Sequence, residues 1–142
     1  MSQTRVPAEL RRKVSAHARH RCGYCLTSEA IAGTPMEIDH LLPESLGGAT
    51  EEENLWLACS LCNRHKGQKT EAEDPASGQT VALFNPRSQN WKEHFAWGGG
   101  GVRVIGITAV GRATVVALNV NRPVLVRARR RWVDAGWHPP VE

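Results

Sequence analysis

No uninterrupted apolar stretch in this 142-residue chain approaches the ~18 residues of a membrane span, so no transmembrane helix is expected. Residues 1–5 hold neither an apolar core nor a small-residue cleavage site, and no secretory signal is expected there. Asn-x-Ser/Thr sequons, internal repeats and low-complexity tracts are also absent. Cysteine is confined to four residues. Without an export signal these thiols are expected in a reducing, cytoplasmic setting, where paired cysteines bind metal more often than they form disulfides. No segment reads as a recognition helix with a base code. The length suits one domain, expected over residues 1–142. A chain of this size buries roughly two thirds of its unfolded surface and should fold alone.

Net charge of one sign is also slight, formally +4, but it is unevenly placed. Residues 1–35 carry six Lys/Arg against two Asp/Glu, residues 36–80 three against nine, and residues 81–142 nine against three. Basic flanks around an acidic middle suit a polyanion held on both sides of a carboxylate-bearing metal centre. Solvated surface charge explains the same pattern equally well, so charge alone decides nothing.

The informative residues are concentrated in the first half. Cys22-Gly23-Tyr24-Cys25 and Cys59-Ser60-Leu61-Cys62 are two Cys-x-x-Cys pairs with 33 residues between them. Four thiolates so paired suit one tetrahedral zinc, and four sulfurs leave no open position for catalysis, so that zinc is expected to be structural. Gly23 is expected to supply the tight turn of the first pair. Residues 36–40 alternate apolar and polar and read as a short strand. Pro43 and Gly47-Gly48 mark a loop, Thr50 is expected to cap a turn through 51–53, and Leu55–Ala58 reads as a second strand. A short helix is expected from Cys62 to about Gly67. Upstream, residues 6–20 read as a helix with Pro7 in its first turn and Leu10, Val14 and His17 or Ala18 as its apolar stripe.

Residues 68–80 read as a loop, and residues 81–142 as an α/β extension. In the latter, 83–86 and 91–97 are expected to be extended, 98–101 a flexible turn and 102–107 a strand. Thr108 should cap a helix over 109–119. Arg122-Pro123 should open another that ends near Ala135, with Val124, Ala128 and Trp132 or Val133 facing inward. Arg127, Arg129, Arg130 and Arg131 could meet a nucleic-acid backbone, but they cannot share one helical face. Trp91, Phe95, Trp97, Trp132 and Trp137 read as core rather than as base-stacking platforms. His17, His20, His94 and His138 have no spacing that marks a site.

Asp39-His40, Asn54 and Asn63 lie between and just after the cysteine pairs. Phosphodiester hydrolysis needs an activated water, a cation at the leaving oxygen and donors to the nonbridging oxygens. His40, with an ordinary pKa near 6.5, can accept the proton of water at neutral pH. Asp39 and Asn63 offer hard oxygen ligands for Mg²⁺ or Mn²⁺. Asn63 and Lys66 are one helical turn apart, which would set a metal and a phosphate-binding cation side by side. The bland alternatives are a solvated Asp39-His40 pair at a strand end, Asn63 as a helix-start cap, and Lys66 and Arg64 as solvated cations.

Through Asp39-His40, Asn54 and Cys59-x-x-Cys62-Asn63-x-x-Lys66, residues 22–67 resemble the HNH endonuclease family, over about a third of the chain. The resemblance implies an α+β fold: a ββα-metal finger with a structural zinc, flanked by the N-terminal helix and the C-terminal extension. It implies His40 as general base, Asp39 and Asn63 as ligands of a catalytic Mg²⁺ or Mn²⁺, and Asn54 hydrogen-bonding the hairpin loop to orient His40. Lys66 and Arg64 would contact substrate. Asn63 stands where the family often has histidine, a ligand swap. The implied activity is cleavage of nucleic acid, DNA ahead of RNA, to 5′-phosphate and 3′-hydroxyl ends. A monomer would nick, and a weak homodimer would cut both strands; no membrane partner is implied. Two rival readings remain: a non-catalytic, zinc-stabilised nucleic-acid-binding module, and a protein-interaction domain built on the tryptophan-rich C-terminal part.

Overall fold

The computed structural model describes residues 5–141, and the chain divides into two units. One runs to Thr70 and includes Asn85–Ser88; the other is Glu71–Phe84 with Gln89 onward.

In the first unit, helix α1 (Ala8–His17) starts after Pro7, whose φ of −59° suits helix entry. It is shorter than its sequence suggests because Arg19 and His20 adopt φ of +57° and +56°, a left-handed conformation that ends a helix. Val14 and Ala18 are buried as the stripe requires, while Leu10 is half-buried. His17 is exposed, its ring 5.1 Å from that of Trp56. The single turn α2 (Glu29–Ala32) is capped by Ser28 and stopped by Gly33 in the left-handed region.

Strands β1 (Glu37–His40) and β2 (Leu55–Ala58) pair antiparallel, with Asp39 opposite Trp56 and His40 opposite Leu55. Helix α3 (Ser60–Lys66) follows and packs on β1, while α1 packs on β2. α3 begins two residues before the sequence-based expectation, because the Cys59 sulfur accepts the Cys62 N–H and acts as its cap. The β1–β2 connection holds two short 3₁₀ turns, Glu44–Leu46 and Glu52–Asn54. Thr50 does not cap the second of these; Glu51 holds that position without a side-chain bond. Two glycines are there for want of space. A Cβ on Gly48 would collide with the Leu42 carbonyl, and one on Gly23 with Trp56 and Pro86. The left-handed residue of the first knuckle is Leu26, at φ +61°, not Gly23.

The second unit opens on a hairpin, β3 (Glu71–Glu73) with β4 (Thr80–Ala82), where a loop was expected. The turn between them is built on the buried Asp74 carboxylate, which accepts from the Ala76 N–H, the Ser77 hydroxyl and both Nε and Nη2 of Arg112. Next come the turn α4 (Trp91–His94) and the antiparallel pair β5 (Phe95–Gly98) and β6 (Arg103–Gly106). Helix α5 (Ala109–Ala117) is capped by Thr108, as read from the sequence. Helix α6 (Pro123–Asp134) opens on its proline. Its inward face is Leu125 and Arg129 rather than Val124, which is 57% exposed. Arg129 is wholly buried, donates to the carbonyls of Val102 and Val120 and to Asn121 Oδ1, and lies 5.5 Å from the Trp97 ring centroid. Phe84 and Phe95 are core, Trp91, Trp97 and Trp132 are half-buried, and Trp137 is exposed. Among the described residues the sheets are three separate antiparallel pairs, so the class is α+β and no barrel closes.

Candidate active site and metal centre

The two knuckles bring four sulfurs together. Those of Cys22, Cys25, Cys59 and Cys62 all lie within 4.8 Å of one another, and the Cys25 and Cys59 sulfurs are 3.8 Å apart. Tetrahedral Zn–S bonds near 2.3 Å require sulfurs about 3.8 Å apart, so the set fits zinc. None of the four is in a disulfide. Backbone N–H groups point at the sulfurs: Tyr24 and Cys25 at Cys22 Sγ (3.4 and 3.5 Å), and Cys62 at Cys59 Sγ (3.4 Å). Burial pushes the Cys22 thiol well above its usual range, while the thiols of Cys22, Cys25 and Cys62 beside Cys59 hold that one well below. Thiolates this crowded and this buried need a dication to coexist.

Strand β1 leads from this cluster to His40. The His40 side chain is 12% exposed, with Nε2 3.0 Å from Thr50 Oγ1 and 3.8 Å from Glu44 Oε1. The hydroxyl expected to cap a turn thus meets the imidazole. Asn54 closes the loop that follows His40: its Oδ1 accepts the Leu42 N–H at 2.8 Å, and its Nδ2 donates to the carbonyls of Leu42 (3.0 Å) and Ala49 (2.9 Å). The Leu41 N–H also bonds the Asn54 carbonyl, at 2.8 Å.

Glu37 and Asp39 both meet α3, one step of the strand against one turn of the helix. Asn63 Nδ2 donates to Glu37 Oε1 at 2.9 Å. One turn on, Lys66 Nζ donates to Asp39 Oδ1 at 3.2 Å. The two pairs differ in burial. Asp39 and Lys66 are each 3% exposed, and Asp39 Oδ2 accepts from the hydroxyl of Tyr24, in the first zinc knuckle, at 2.6 Å. Lys66 also donates to the carbonyls of His40 (3.2 Å) and Leu41 (3.5 Å). Burial raises the Asp39 carboxyl above its usual range, opposed by Lys66 and Tyr24, and burial, with the Asp39 charge second, raises the Tyr24 phenol. Asp39 and Asn63 thus have different partners, Tyr24 and Lys66 for the first and Glu37 for the second.

Glu37, by contrast, is exposed. With His40, Asn63, Ile38, Arg5 and Arg11 it lines an open groove of about 490 Å³. Lys66 lies inside the protein, so its ammonium serves Asp39 and the strand-end carbonyls, while Arg64 is exposed on α3. Sequence reasoning passed over Glu37, Thr50, Glu44 and Tyr24. The one signal for Glu37 was spacing: Glu37 and Asp39 two apart on a strand match Asn63 and Lys66 three apart on a helix. Thr50 and Glu44 carried none.

No curated protein and no solved structure matches the chain. Residues 22–69 match the family model described as HNH endonuclease. The match covers the segment that holds both cysteine pairs, β1, β2 and α3, about a third of the chain, and supports a nuclease-type family.

Proposed function

We propose that this protein is a metal-dependent endonuclease that hydrolyses phosphodiester bonds of nucleic acid, DNA in the first instance, with His40 as general base. The observation that carries this reading is the setting of His40: it faces the groove from the HNH domain, with its ring and the backbone on both sides of it held. A base must be oriented by a third group before it can act. Thr50 and Glu44 supply that at Nε2. With the Nε2 proton donated toward them, Nδ1 keeps the lone pair that takes a proton from water. Glu44 then steadies the imidazolium that forms. Arg5 and Arg11 line the same groove and offer positive charge to the phosphate. A Mg²⁺- or Mn²⁺-class ion, when bound, supplies charge at the scissile phosphate and the departing 3′ oxygen. The four cysteines hold structural zinc in a reducing cytosol. A monomer leaves nicks and a weak homodimer cuts both strands, in either case with 5′-phosphate and 3′-hydroxyl ends.

Plasmid nicking tests this. Zinc-loaded protein with Mg²⁺ or Mn²⁺ should convert supercoiled DNA to relaxed circles, and folded His40→Ala protein with unchanged zinc content should not. Equal nicking by the two would remove His40 from the chemistry. Salt-dependent binding with no cutting of DNA or RNA would instead favour a non-catalytic binding module, for which the exposed Arg127, Arg130 and Arg131 of α6 provide charge.

A further inference from the structure

We propose that the exposed arginines of α6, Arg127, Arg130 and Arg131, bind the phosphate backbone of duplex DNA and give the second unit a substrate-holding surface of its own. The inference deepens the nuclease reading above and rests on it for the choice of DNA as the polyanion. Four arginines within five residues cannot share one face of a helix, and α6 divides them. Leu125 and Arg129, one turn apart, are buried. Arg129 donates to the carbonyls of Val102 and Val120 and to Asn121 Oδ1. Those acceptors fix the rotation of the helix, because turning it would leave a buried charge without them. At 3.6 residues per turn, Arg127 then stands opposite the buried pair, with Arg130 and Arg131 roughly 60° and 40° to its two sides. All three are exposed.

That face has the chemistry of a phosphate-binding surface. None of the three guanidiniums has an ion pair or hydrogen bond with another described residue. Asp134 is the one carboxylate on α6, and it sits at the C-terminal end. Like charges three and four residues apart on a helix repel, and a polyanion relieves that. Guanidinium forks match pairs of phosphate oxygens. Arg127 to Arg131 covers ~6 Å of helix axis, a length over which one DNA strand presents about two phosphates. The helix holds no Asn, Gln, Ser or Thr, so the face suits the backbone rather than a varied set of base edges. Single strands are gripped by stacked aromatics. The aromatic of α6, Trp132, is instead half-buried beside His138, and the exposed Trp137 lies beyond the helix end. That favours a duplex.

Binding of the full-length, zinc-loaded protein to a labelled, mixed-sequence DNA duplex tests this apart from cleavage. It is followed by fluorescence anisotropy from about 50 to 200 mM salt, without Mg²⁺. The triple variant Arg127→Gln, Arg130→Gln, Arg131→Gln changes only exposed side chains, and melting curves check that the fold is kept. Its slope of log affinity against log salt should be shallower by about 2–3, near one per lost phosphate contact, and its affinity at low salt about tenfold weaker or more. Lysine at the same three positions should keep the slope. Duplex should also shield the three arginines of the wild type from phenylglyoxal, an arginine-specific reagent, as read by mass spectrometry. That readout locates the contact, which a change in net charge alone would not move. The proposal is overturned if the glutamine variant binds with the wild-type slope, or if the three arginines react as fast with duplex as without. It is also overturned if wild type leaves the duplex unbound, whether or not it takes RNA. His40-dependent nicking with a wild-type slope in the glutamine variant would sink the α6 surface and leave the nuclease reading standing. No nicking by any form, with the slope still lost in the glutamine variant, would do the reverse.

Discussion

At the scale of single residues, Asn54 ties together the loop that follows His40. Its amide makes three bonds across the loop that follows His40, one accepted and two donated. Alanine there would strip all three at once. The position is half-buried, so water replaces part of the loss, and a destabilisation of about 1–3 kcal/mol is expected. The larger effect should fall on catalysis: nicking about tenfold slower or more, because a base misplaced by an ångström loses its geometry. Nucleic-acid affinity should be little changed and zinc content should stay the same. Asn54→Asp keeps the acceptor and loses the donors, so it should fall between. Melting curves beside nicking rates and binding isotherms check this, and a uniform loss of affinity with an unchanged rate would contradict it. Residue chemistry of this kind is legible in sequence when a side chain can do only one thing well. Four cysteines in two pairs, and an Asp-His between them, carry such restrictions. The different burial of Glu37 and Asp39 carries none. Both are carboxylates on one strand, and only the cover provided by α3 separates them. For the same reason Lys66 read as a surface cation although it is 3% exposed.

At the scale of elements, sulfur does more than hold a metal. The Cys22 sulfur accepts two backbone N–H groups of the first knuckle, and the Cys59 sulfur caps α3. Tyr24, between the first two cysteines, reaches Asp39 on β1. The zinc site and the strand that ends in His40 are therefore one construction. A structural zinc contributes on the order of 10 kcal/mol, against a whole-domain stability of roughly 5–15 kcal/mol. Stripping zinc, or Cys25→Ser, should therefore unfold the first unit. The expected readout is loss of nicking together with new protease cleavage within residues 22–69, restored by zinc in wild type but not in the variant. A chelated protein that resists protease there would refute the dependence. Elements with strong local signals were readable: β2 from its apolar run, α5 from Thr108, α6 from Arg122-Pro123. The β3–β4 hairpin was not. Its strands, Glu71–Glu73 and Thr80–Ala82, are exposed or half-buried and lack a buried alternating face. Its turn is organised by Asp74 with Arg112, 38 residues away. No local pattern reports a partner at that distance.

At the scale of the whole molecule, the HNH match lies within one unit and leaves the other with a core of its own. That second core was only partly legible. The α6 sequence points to an apolar face through Val124, but the helix turns Arg129 inward, because three oxygen acceptors and the Trp97 ring compensate its burial. Two of those acceptors are backbone carbonyls that no sequence pattern announces. The buried guanidinium has a consequence for pH. His138 is 6% exposed, and its Nε2 is buried with no hydrogen-bond partner. Its ring packs on Trp97 at 4.4 Å and on Trp132 at 5.9 Å. Burial first, and the Arg129 charge second, push its pKa down to about 4, against about 6.5 in an unfolded chain. Above pH 6.5 the imidazole is neutral in both states and stability is unaffected. Between pH 6.5 and 4 the unfolded chain takes up the proton and the folded one does not, so stability falls as pH falls. The full effect is on the order of 3 kcal/mol. Asp74 adds little in that window, because an unfolded Asp takes up its proton only near pH 3.9 while Arg112 keeps the folded carboxyl ionised. Denaturant unfolding of the full chain at pH 7 and pH 4.5 reads this directly. A Trp56→Phe background leaves Trp91, Trp97, Trp132 and Trp137 as reporters, all in the second unit. His138→Phe keeps a ring against the two tryptophans and removes the titration, so its stability should drop by about 2–3 kcal/mol less than wild type over that range. Superimposable pH profiles for the two proteins would show that His138 already takes up its proton in the folded state, and that Arg129 does not govern it.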